Sequence, residues 1–377
     1  MKLFIDLTSL DDRLSGIERY AANITEALLR RGDCELTLVF KNRIPERFVS
    51  CQGQTGVRLL VLDAGGRLTA TQLKLPALLR RLERQGEHFD ACLFPAFPAP
   101  LLYCSRKAVS TIHDIGCFDC PEAMTLPSRI FFRTLYRKAA RQDGMITTVS
   151  EFSKERIADK FPRAGSKTVV VRNGIAPAFL KQCTAEEIAQ VREKYRLPER
   201  YILSLCTLEP RKQLPLLVSA YKELYAEGLR QHKLVLVGRS GWKNNSLEQM
   251  LAGTEPESVV LTGFADDADL PALYAGAALF VFPSMYEGFG LPPLEAMAAG
   301  TPVLSSDAAS MPEILGEKAH YFRSEDAESL KAQLEHLLTL PREQLRSGEE
   351  GRRSHAATYT WENAAQQLVE AVSRNLL

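Results

Sequence analysis

Two glutamates separated by seven residues, Glu287 and Glu295, enclose a glycine-rich turn that follows an apolar segment of the chain. The turn reads Gly288-Phe289-Gly290-Leu291. A proline pair directly after it predicts the start of a helix, since proline at the first helical position loses only an N–H that would be unpaired anyway. The free amides and positive dipole end of such a helix suit a phosphate group. The alternative is structural, with the glycines forming a tight turn and Glu295 complementing the helix dipole.

A basic pair, Arg211 and Lys212, follows another apolar segment, YILSLC at 201–206. Two adjacent cations beyond the end of a strand would neutralise a leaving diphosphate, which is the main electrostatic task when a nucleotide departs. The alternative is a solvated basic turn without a role in chemistry.

A histidine, His113, closes a third apolar segment and precedes Asp114. If that segment is a strand, the imidazole lies at its carboxyl end, where ligands of open α/β sheets bind. The alternative is a histidine that is only capped and packed.

Two short motifs have the spacing of metal sites. Asp267 and Asp269 form an Asp-x-Asp pair, but the LPALY that follows predicts a helix start, where acidic residues act as caps. Cys117 and Cys120 have ligand spacing, yet a zinc site needs about four ligands and only His113 lies near them in sequence. The eight cysteines show no regular spacing, which predicts reduced thiols. We therefore expect no metal cofactor.

Strand-like apolar segments alternate with amphipathic helical segments along the chain, which predicts parallel sheets covered by helices on both faces. One set of strands falls between residues 2 and 171, and a second set between residues 201 and 304. A chain of 377 residues also exceeds what one core usually supports. The sequence thus predicts an α/β protein with two Rossmann-like doubly wound domains, 1–180 and 181–358, that face a central cleft. A C-terminal helix at about 359–377 is expected to pack back on the first domain.

These features together resemble a known family. The chain is similar to retaining glycosyltransferases of the large GT-B family in which two glutamates are separated by seven residues, as are Glu287 and Glu295 here. The further matching motifs are SGIERY at 15–20, TIHD at 111–114, TVSEFSKE at 148–155, VVRNGI at 170–175, GRSGW at 238–242 and TGFADDADLPALY at 262–274. Any one motif is weak alone, but the set is specific and spans nearly the whole chain.

The resemblance implies a role for each matching position in the second half. Glu295 would hold the ribose of a nucleotide, and Glu287 would lie beside the donor sugar. Arg211 and Lys212 would bind the diphosphate with help from backbone amides, and they would be its cationic side chains, because the arginine that family members often carry a few residues earlier is replaced here by Leu-Cys-Thr-Leu. The remaining donor-binding positions would be Gly238, Phe264, Gly288, Phe289, Gly290 and Leu291, the last two through their amides.

The resemblance also implies roles in the first half. Gly16 would bring backbone close to the phosphate or sugar, and His113 would touch the donor sugar near the reacting centre. Retention in this family is ascribed to front-face attack, with the leaving phosphate helping to deprotonate the acceptor.

The segments TIHDIGCFDCPE at 111–122 and TLEPRKQ at 207–213 resemble bacterial mannosyltransferases of surface-polysaccharide assembly. This implies transfer of mannose from GDP-mannose to a glycan or lipid-linked acceptor. A UDP-sugar donor and a nucleotide-sugar 2-epimerase of the same fold are the alternatives. A nucleic-acid partner is not expected, since the pI is near 7.6 and no binding motif occurs.

Charge is distributed unevenly, with a net +8 over residues 1–180 and −7 over the rest. One helical segment of the first half combines basic and apolar side chains, namely Arg129, Ile130, Phe131, Phe132, Arg133, Leu135, Tyr136, Arg137, Lys138 and Arg141. Basic residues are attracted to anionic lipid, and apolar ones enter the headgroup region. No run approaches the roughly 18 apolar residues that would span a bilayer. We therefore expect a cytoplasmic protein in peripheral contact with an anionic inner membrane face. The alternative is that Phe132, Leu135 and Tyr136 only form the face of this helix that packs into the core.

Overall fold

A computed structural model describes residues 1–11, 14, 16–238, 251 and 258–377. The chain divides into two compact units. The first unit contains Met1–Gly174 together with Thr360–Leu377, and the second contains Ile175–Tyr359. The chain thus enters the second unit at Ile175, whereas the sequence places that change near residue 180.

The first unit is built on a sheet of seven parallel strands. They are β1 Lys2–Asp6, β2 Glu35–Lys41, β3 Val57–Leu62, β4 Ala91–Phe94, β5 Ala108–Thr111, β6 Met145–Thr148 and β7 Thr168–Val170. Their order is β3-β2-β1-β4-β5-β6-β7, so that Leu3 of β1 pairs with Leu36 on one side and Ala91 on the other. Phe4 and Val39 are fully buried, as expected of a parallel sheet with both faces covered.

Helices cover this sheet. They are Gly16–Arg31, Glu46–Val49, Arg67–Thr69, Leu75–Arg84, Gly116–Asp119, Leu126–Gln142, Glu151–Lys160, Pro162–Gly165 and Trp361–Leu376, with a π-helical turn at Ala70–Lys74 and a 3₁₀ turn at Pro121–Ala123. The C-terminal helix packs against Gly16–Arg31. Its first turn is capped by Thr360, whose hydroxyl accepts a hydrogen bond from the amide of Asn363 at 3.1 Å.

In the described part of the second unit, six strands form a parallel sheet. Its strands are β8 Tyr201–Leu205, β9 Lys233–Val237, β10 Val259–Gly263, β11 Leu279–Phe282, β12 Val303–Ser306 and β13 His320–Phe322. The order β10-β9-β8-β11-β12-β13 repeats that of the first sheet with one strand fewer. The sequence does not predict β13, because three residues that begin with an exposed histidine carry no periodic signal.

The helices of the second unit include the one that carries Glu295. They are Pro177–Leu180, Ala185–Lys194, Leu214–Ala226, Leu270–Gly276, Leu291–Ala298, Met311–Leu315, Ala327–Thr339, Arg342–Arg346 and Glu349–Ala357, with 3₁₀ turns at Pro210–Lys212 and Gly316–Lys318. Arg353 donates hydrogen bonds to the carbonyls of Ala298 and Ala299 at 2.9 and 2.8 Å. These carbonyls end the Glu295 helix and lack partners within it, so the guanidinium anchors that helix from its C-terminus.

Candidate functional site

Two loops at the carboxyl ends of neighbouring strands form the candidate site. β8 leads into the basic turn that ends with Arg211 and Lys212, and β11 leads into the glycine-rich turn that begins at Glu287. β8 and β11 are hydrogen-bonded neighbours, and parallel strands end at the same sheet edge. The loops meet there, since the amide of Met285 donates to the carbonyl of Arg211 at 2.9 Å.

Glu287 joins both cations in one group, of which only Arg211 is partly exposed. Its Oε1 accepts a hydrogen bond from the ammonium of Lys212, and its Oε2 lies 3.1 Å from an Nη of Arg211. The side chains of Lys212 and Glu287 are each only 10% exposed. We call Arg211, Lys212 and Glu287 the ion-pair cluster. The sequence treats these residues separately, and the structure brings them together.

The carboxylate of Glu287 is ionised in this environment. Burial alone would raise its pKa, but the charges of Arg211 and Lys212, with hydrogen bonds from Lys212 and Ser284, lower the pKa to about 2. The Lys212 ammonium also lies 5.1 Å from the centre of the Phe282 ring, a favourable cation–π distance. The cluster therefore keeps two positive charges in defined positions at the sheet edge.

Two serines that the sequence does not single out hold Glu287 in place. The hydroxyl of Ser284 donates to Oε1 of Glu287 at 2.6 Å, and the hydroxyl of Ser310 donates to its backbone carbonyl at 3.0 Å. Both serines are buried. A lone serine carries no motif, so only the folded arrangement identifies these contacts.

The glycine-rich turn presents the start of the helix Leu291–Ala298. Gly290 adopts a φ of 85°, and a Cβ there would lie 2.8 Å from the sulfur of Met311, so the position requires glycine. Gly288 and Phe289 are buried, and the Phe289 ring packs edge-on against Tyr359 at 5.7 Å. The first amides of a helix have no intrahelical partners and suit an anion.

Glu295 lies one turn inside this helix and is only 6% exposed. Its Oε2 accepts a hydrogen bond from the hydroxyl of Tyr274 at 3.0 Å. The carboxylate is thus an oriented group near the turn, and the interpretation that it only complements the helix dipole does not account for its buried partner.

Two further predicted donor-binding positions lie on neighbouring loops. Gly238 follows β9 with a φ of 152°, and a Cβ there would clash with the carbonyl of Cys206. Its amide donates to the carbonyl of Gly263 at 2.9 Å. Phe264 follows β10 and is 38% exposed. The rest of the GRSGW motif, 239–242, lies outside the described residues.

In the first unit, His113 follows β5 and is half-buried. Its Nε2 lies 2.9 Å from the carbonyl of Pro95, and its ring meets the Tyr20 ring edge-on at 4.8 Å. Because a carbonyl only accepts, Nε2 carries the proton and Nδ1 is a hydrogen-bond acceptor. Burial lowers the pKa of His113, which keeps the ring neutral at pH 7. Gly16 begins the helix Gly16–Arg31, is exposed, and has open space around it.

One member of the acidic pair considered as a metal alternative, Asp269, has other partners. Asp269 accepts hydrogen bonds from the ammonium of Lys194 at 2.6 Å and the hydroxyl of Tyr195 at 2.7 Å. It occupies the N-cap position of Leu270–Gly276 without a side-chain capping bond, so the expected capping role is wrong in detail.

Cys117 and Cys120 are buried free thiols. Within the described ranges, no group of three or more His, Cys, Asp or Glu side chains could hold a metal ion.

Comparison with known proteins covers both units. Residues 14–179 match Glycosyltransferase Family 4, and residues 186–354 match Glycosyl transferases group 1. The O-antigen chain mannosyltransferase B of Escherichia coli is 34% identical over 269 residues, which is 71% of this chain and 70% of that protein. The serotype-specific mannosyltransferase WbdA of Escherichia coli is 32% identical over 254 residues, but the match spans only 31% of its length.

Solved structures agree on the architecture. The Anabaena protein Alr3699/HepE, crystallised with UDP and glucose, matches 99% of this chain and 100% of its own with a TM-score of 0.73 and 18% sequence identity. At that identity the likeness concerns the fold alone, two Rossmann-like domains of the GT-B type. Together with the family matches and the 34% identical relative, it shows that the chain belongs to the group 1 glycosyl transferases.

Proposed function

We propose that this protein transfers mannose from GDP-mannose, with retention of the anomeric configuration, to a glycan or lipid-linked acceptor during assembly of a bacterial surface polysaccharide. Family membership makes it a glycosyltransferase that uses a nucleotide-sugar donor and a glycan acceptor. The choice of mannose is supported by relatives that are named mannosyltransferases, one of them for the O-antigen chain. The competing donor is a UDP-sugar.

The ion-pair cluster is the observation that carries the proposal. A nucleoside diphosphate gains negative charge when its bond to the sugar breaks, and it needs fixed positive partners. Arg211 and Lys212 supply two cations, and the helix Leu291–Ala298, whose first amides suit an anion, begins in the loop after the neighbouring strand β11. Glu287 holds both cations before the donor arrives, so little reorganisation is needed on binding.

The transfer step uses these groups without a protein nucleophile. The bond between the anomeric carbon and the diphosphate oxygen breaks, and its electron pair leaves with the nucleoside diphosphate. The acceptor hydroxyl forms the new bond on the same face of the sugar, and its proton passes to the departing phosphate. Lys212 and Arg211 stabilise the charge that the diphosphate gains.

The other predicted positions bind the two ends of the donor. Glu295 accepts hydrogen bonds from the ribose hydroxyls, and His113 accepts one through Nδ1 from a hydroxyl of the donor sugar. Gly238 allows the backbone to come close to the donor, and the partly exposed ring of Phe264 contacts the nucleotide. No metal cofactor is needed in this scheme, because side-chain cations and helix amides already provide positive partners for the diphosphate.

A ligand panel tests the donor. Thermal unfolding is followed with GDP, UDP, GDP-mannose and UDP-glucose at matched concentrations. A ligand at 100 times its dissociation constant stabilises by about 2.7 kcal/mol, which shifts the midpoint measurably. We expect GDP and GDP-mannose to give the largest shifts. A larger shift with both uridine ligands would replace the guanine donor by a UDP-sugar.

Incubation without an acceptor separates transferase from epimerase. Anion-exchange chromatography of GDP-mannose treated with the protein alone should show at most slow hydrolysis to GDP. Conversion to a new nucleotide sugar would identify a 2-epimerase instead.

Nuclear magnetic resonance of the glycoside formed with an acceptor reports the anomeric configuration, and a β-mannoside product would contradict retention.

We further propose that the first unit works in peripheral contact with an anionic membrane. On Leu126–Gln142 the exposed stripe runs through Leu126, Ile130, Thr134, Arg137 and Arg141. Its first turns are apolar and its last turns basic, a pattern that suits a lipid surface. Among the described residues no helix is both long enough and apolar enough to cross a bilayer.

Several residues that the sequence assigns to this surface have other partners. Arg133 donates from Nε to the carbonyl of Cys117 at 2.7 Å and lies over the Phe118 ring. Leu135 is buried, and Phe132 packs against Phe97 at 5.8 Å. The exposed stripe alone therefore supports the membrane proposal.

Liposome co-sedimentation tests the membrane contact. Binding should occur with anionic vesicles, be weak with neutral ones, and fall with salt, because surface electrostatics is screened. Arg137→Glu/Arg141→Glu should weaken it. The control Arg163→Glu/Arg374→Glu makes the same charge change at other exposed positions of the unit. Equal loss in both double variants would indicate only a net-charge effect, and no pelleting at low salt would remove the proposal.

A further inference from the structure

Tyr274 is a fully buried tyrosine in the helix Leu270–Gly276. Its ring meets Phe280 edge-on at 5.3 Å and Phe179 at 5.9 Å. Its backbone carbonyl accepts a hydrogen bond from the hydroxyl of Thr301 at 2.6 Å. Aromatic packing and this backbone contact leave the phenol a single position, which a flexible surface tyrosine would not have.

The phenol hydroxyl points at a group that the proposed function uses. It donates to Oε2 of Glu295 at 3.0 Å, and the carboxylate is itself buried. The last torsion of a glutamate side chain is broad and nearly two-fold, so packing of the methylene groups does not set the plane of the carboxylate. A fixed donor on one oxygen does set it.

We propose that Tyr274 is a positioning residue that orients the Glu295 carboxylate for the two hydroxyls of the donor's ribose, an inference that rests on the proposed function. A vicinal diol binds a carboxylate well only when both carboxylate oxygens face the diol at hydrogen-bond distance. A hydrogen bond to an ionised acceptor is stronger than one between neutral groups. The tyrosine thus acts through Glu295 and touches no part of the donor.

The test measures how much the phenol hydroxyl contributes to nucleotide affinity, first for a nucleotide that has both ribose hydroxyls and then for one that lacks them. Isothermal titration calorimetry measures the binding of GDP and of 2′,3′-dideoxy-GDP to the full chain. The variants are Tyr274→Phe and Glu295→Ala. Tyr221→Phe is the matched control, because its buried hydroxyl, in the same unit, shares its proton between the carbonyls of His232 and Ser258 at 3.0 and 2.9 Å.

We expect Tyr274→Phe to weaken GDP binding roughly 5- to 20-fold, as for the partial loss of a hydrogen-bonded charged contact. Its effect on dideoxy-GDP should be under about 2-fold, because Glu295 has no ribose hydroxyl to hold there. A purely structural role would weaken both ligands equally. Tyr221→Phe should change neither affinity, even where it lowers the melting temperature.

The outcomes separate the two proposals. If Glu295→Ala weakens GDP binding and Tyr274→Phe does not, the positioning role of Tyr274 is wrong and the ribose role of Glu295 stands. If Glu295→Ala leaves GDP binding unchanged, the ribose assignment fails and the inference fails with it. If UDP binds more tightly than GDP, the comparison is made with UDP and 2′,3′-dideoxy-UDP, and the same affinity changes support or overturn the positioning role.

Discussion

The ammonium of Lys212 and the carboxylate of Glu287 form an ion pair in which each side chain is only 10% exposed. The two residues lie 75 positions apart in the chain. The same carboxylate oxygen also accepts a hydrogen bond from Ser284 at 2.6 Å. Removal of one partner of a buried pair leaves an uncompensated charge, so each side of the pair affects both stability and charge at the site.

Lys212→Ala should weaken GDP-mannose binding and slow transfer about 10²–10³-fold, the scale of losing one preorganised charge. Lys212→Arg should restore only part of the rate, because the planar guanidinium of arginine fits poorly where the compact ammonium of lysine is bound. Steady-state kinetics with the donor varied measures both effects.

Lys331→Ala is the control for this prediction. Lys331 also has two carboxylate partners in the second unit, Glu223 at 3.0 Å and Glu227 at 2.7 Å, but lies far from β8 and β11 in the chain. Its loss should leave the kinetics unchanged. Wild-type kinetics in Lys212→Ala would remove the diphosphate role.

Glu287→Gln should make the free energy of unfolding depend less on pH in the acid range. The folded-state pKa of Glu287 is about 2, below its ordinary 4.5. The ionised carboxylate therefore stabilises the protein above pH 4.5, and this contribution is lost as the pH falls toward 2. Between pH 4.5 and 3 the wild type should lose roughly 1 kcal/mol per pH unit relative to Glu287→Gln. Urea unfolding at several pH values measures the difference.

Glu328→Gln serves as the comparison, because Glu328 is an exposed glutamate of the same unit. That variant should follow the wild-type pH dependence. Parallel curves for wild type and Glu287→Gln would show that Glu287 is not held ionised by Arg211 and Lys212.

His113→Ala should lower the transfer rate by about 10²-fold while GDP affinity stays within about 2-fold, since the histidine is assigned to the sugar and not to the nucleotide. His113→Asn should retain more activity than His113→Gln, because the asparagine amide occupies the place of Nδ1 and the glutamine amide that of Nε2. Single-turnover kinetics and GDP titration give the two quantities.

The exposed His88 provides the control variant His88→Ala in the same unit. It should behave as wild type. A His113→Ala protein that unfolds, or a glutamine variant more active than the asparagine one, would favour a histidine that is only packed against Tyr20 and Pro95.

Transfer should persist in EDTA, because Arg211, Lys212 and helix amides provide positive partners for the diphosphate without a metal. Initial rates are measured after dialysis against EDTA and after addition of Mg²⁺ or Mn²⁺. Complete loss that either metal restores would contradict this, and Asp267→Ala would then test the Asp-x-Asp alternative.

The alternation of elements is predictable from the chain because buried parallel strands are short continuous apolar runs between turn residues. The apolar runs at 57–62, 91–94, 201–205 and 233–237 predict strands with these bounds, and they are the bounds of β3, β4, β8 and β9 in the structure. The start of the helix that carries Glu295 also depends on neighbouring residues, since Gly290 permits the positive φ of the turn and the prolines after Leu291 fix φ in the first helical turn.

The sequence by itself therefore determined the two sheets, the glycine-rich turn and the types of residue at the site, because each depends on neighbours within a few positions. It did not reveal that Glu287 binds Lys212 or that Tyr274 donates to Glu295, nor that Arg133 turns inward to Cys117. Such contacts join distant segments, and they depend on which strands are adjacent and which rotamers the packed core permits. Only the tertiary structure decides them, since a side chain's direction and partner are set by atoms that the local sequence does not contain.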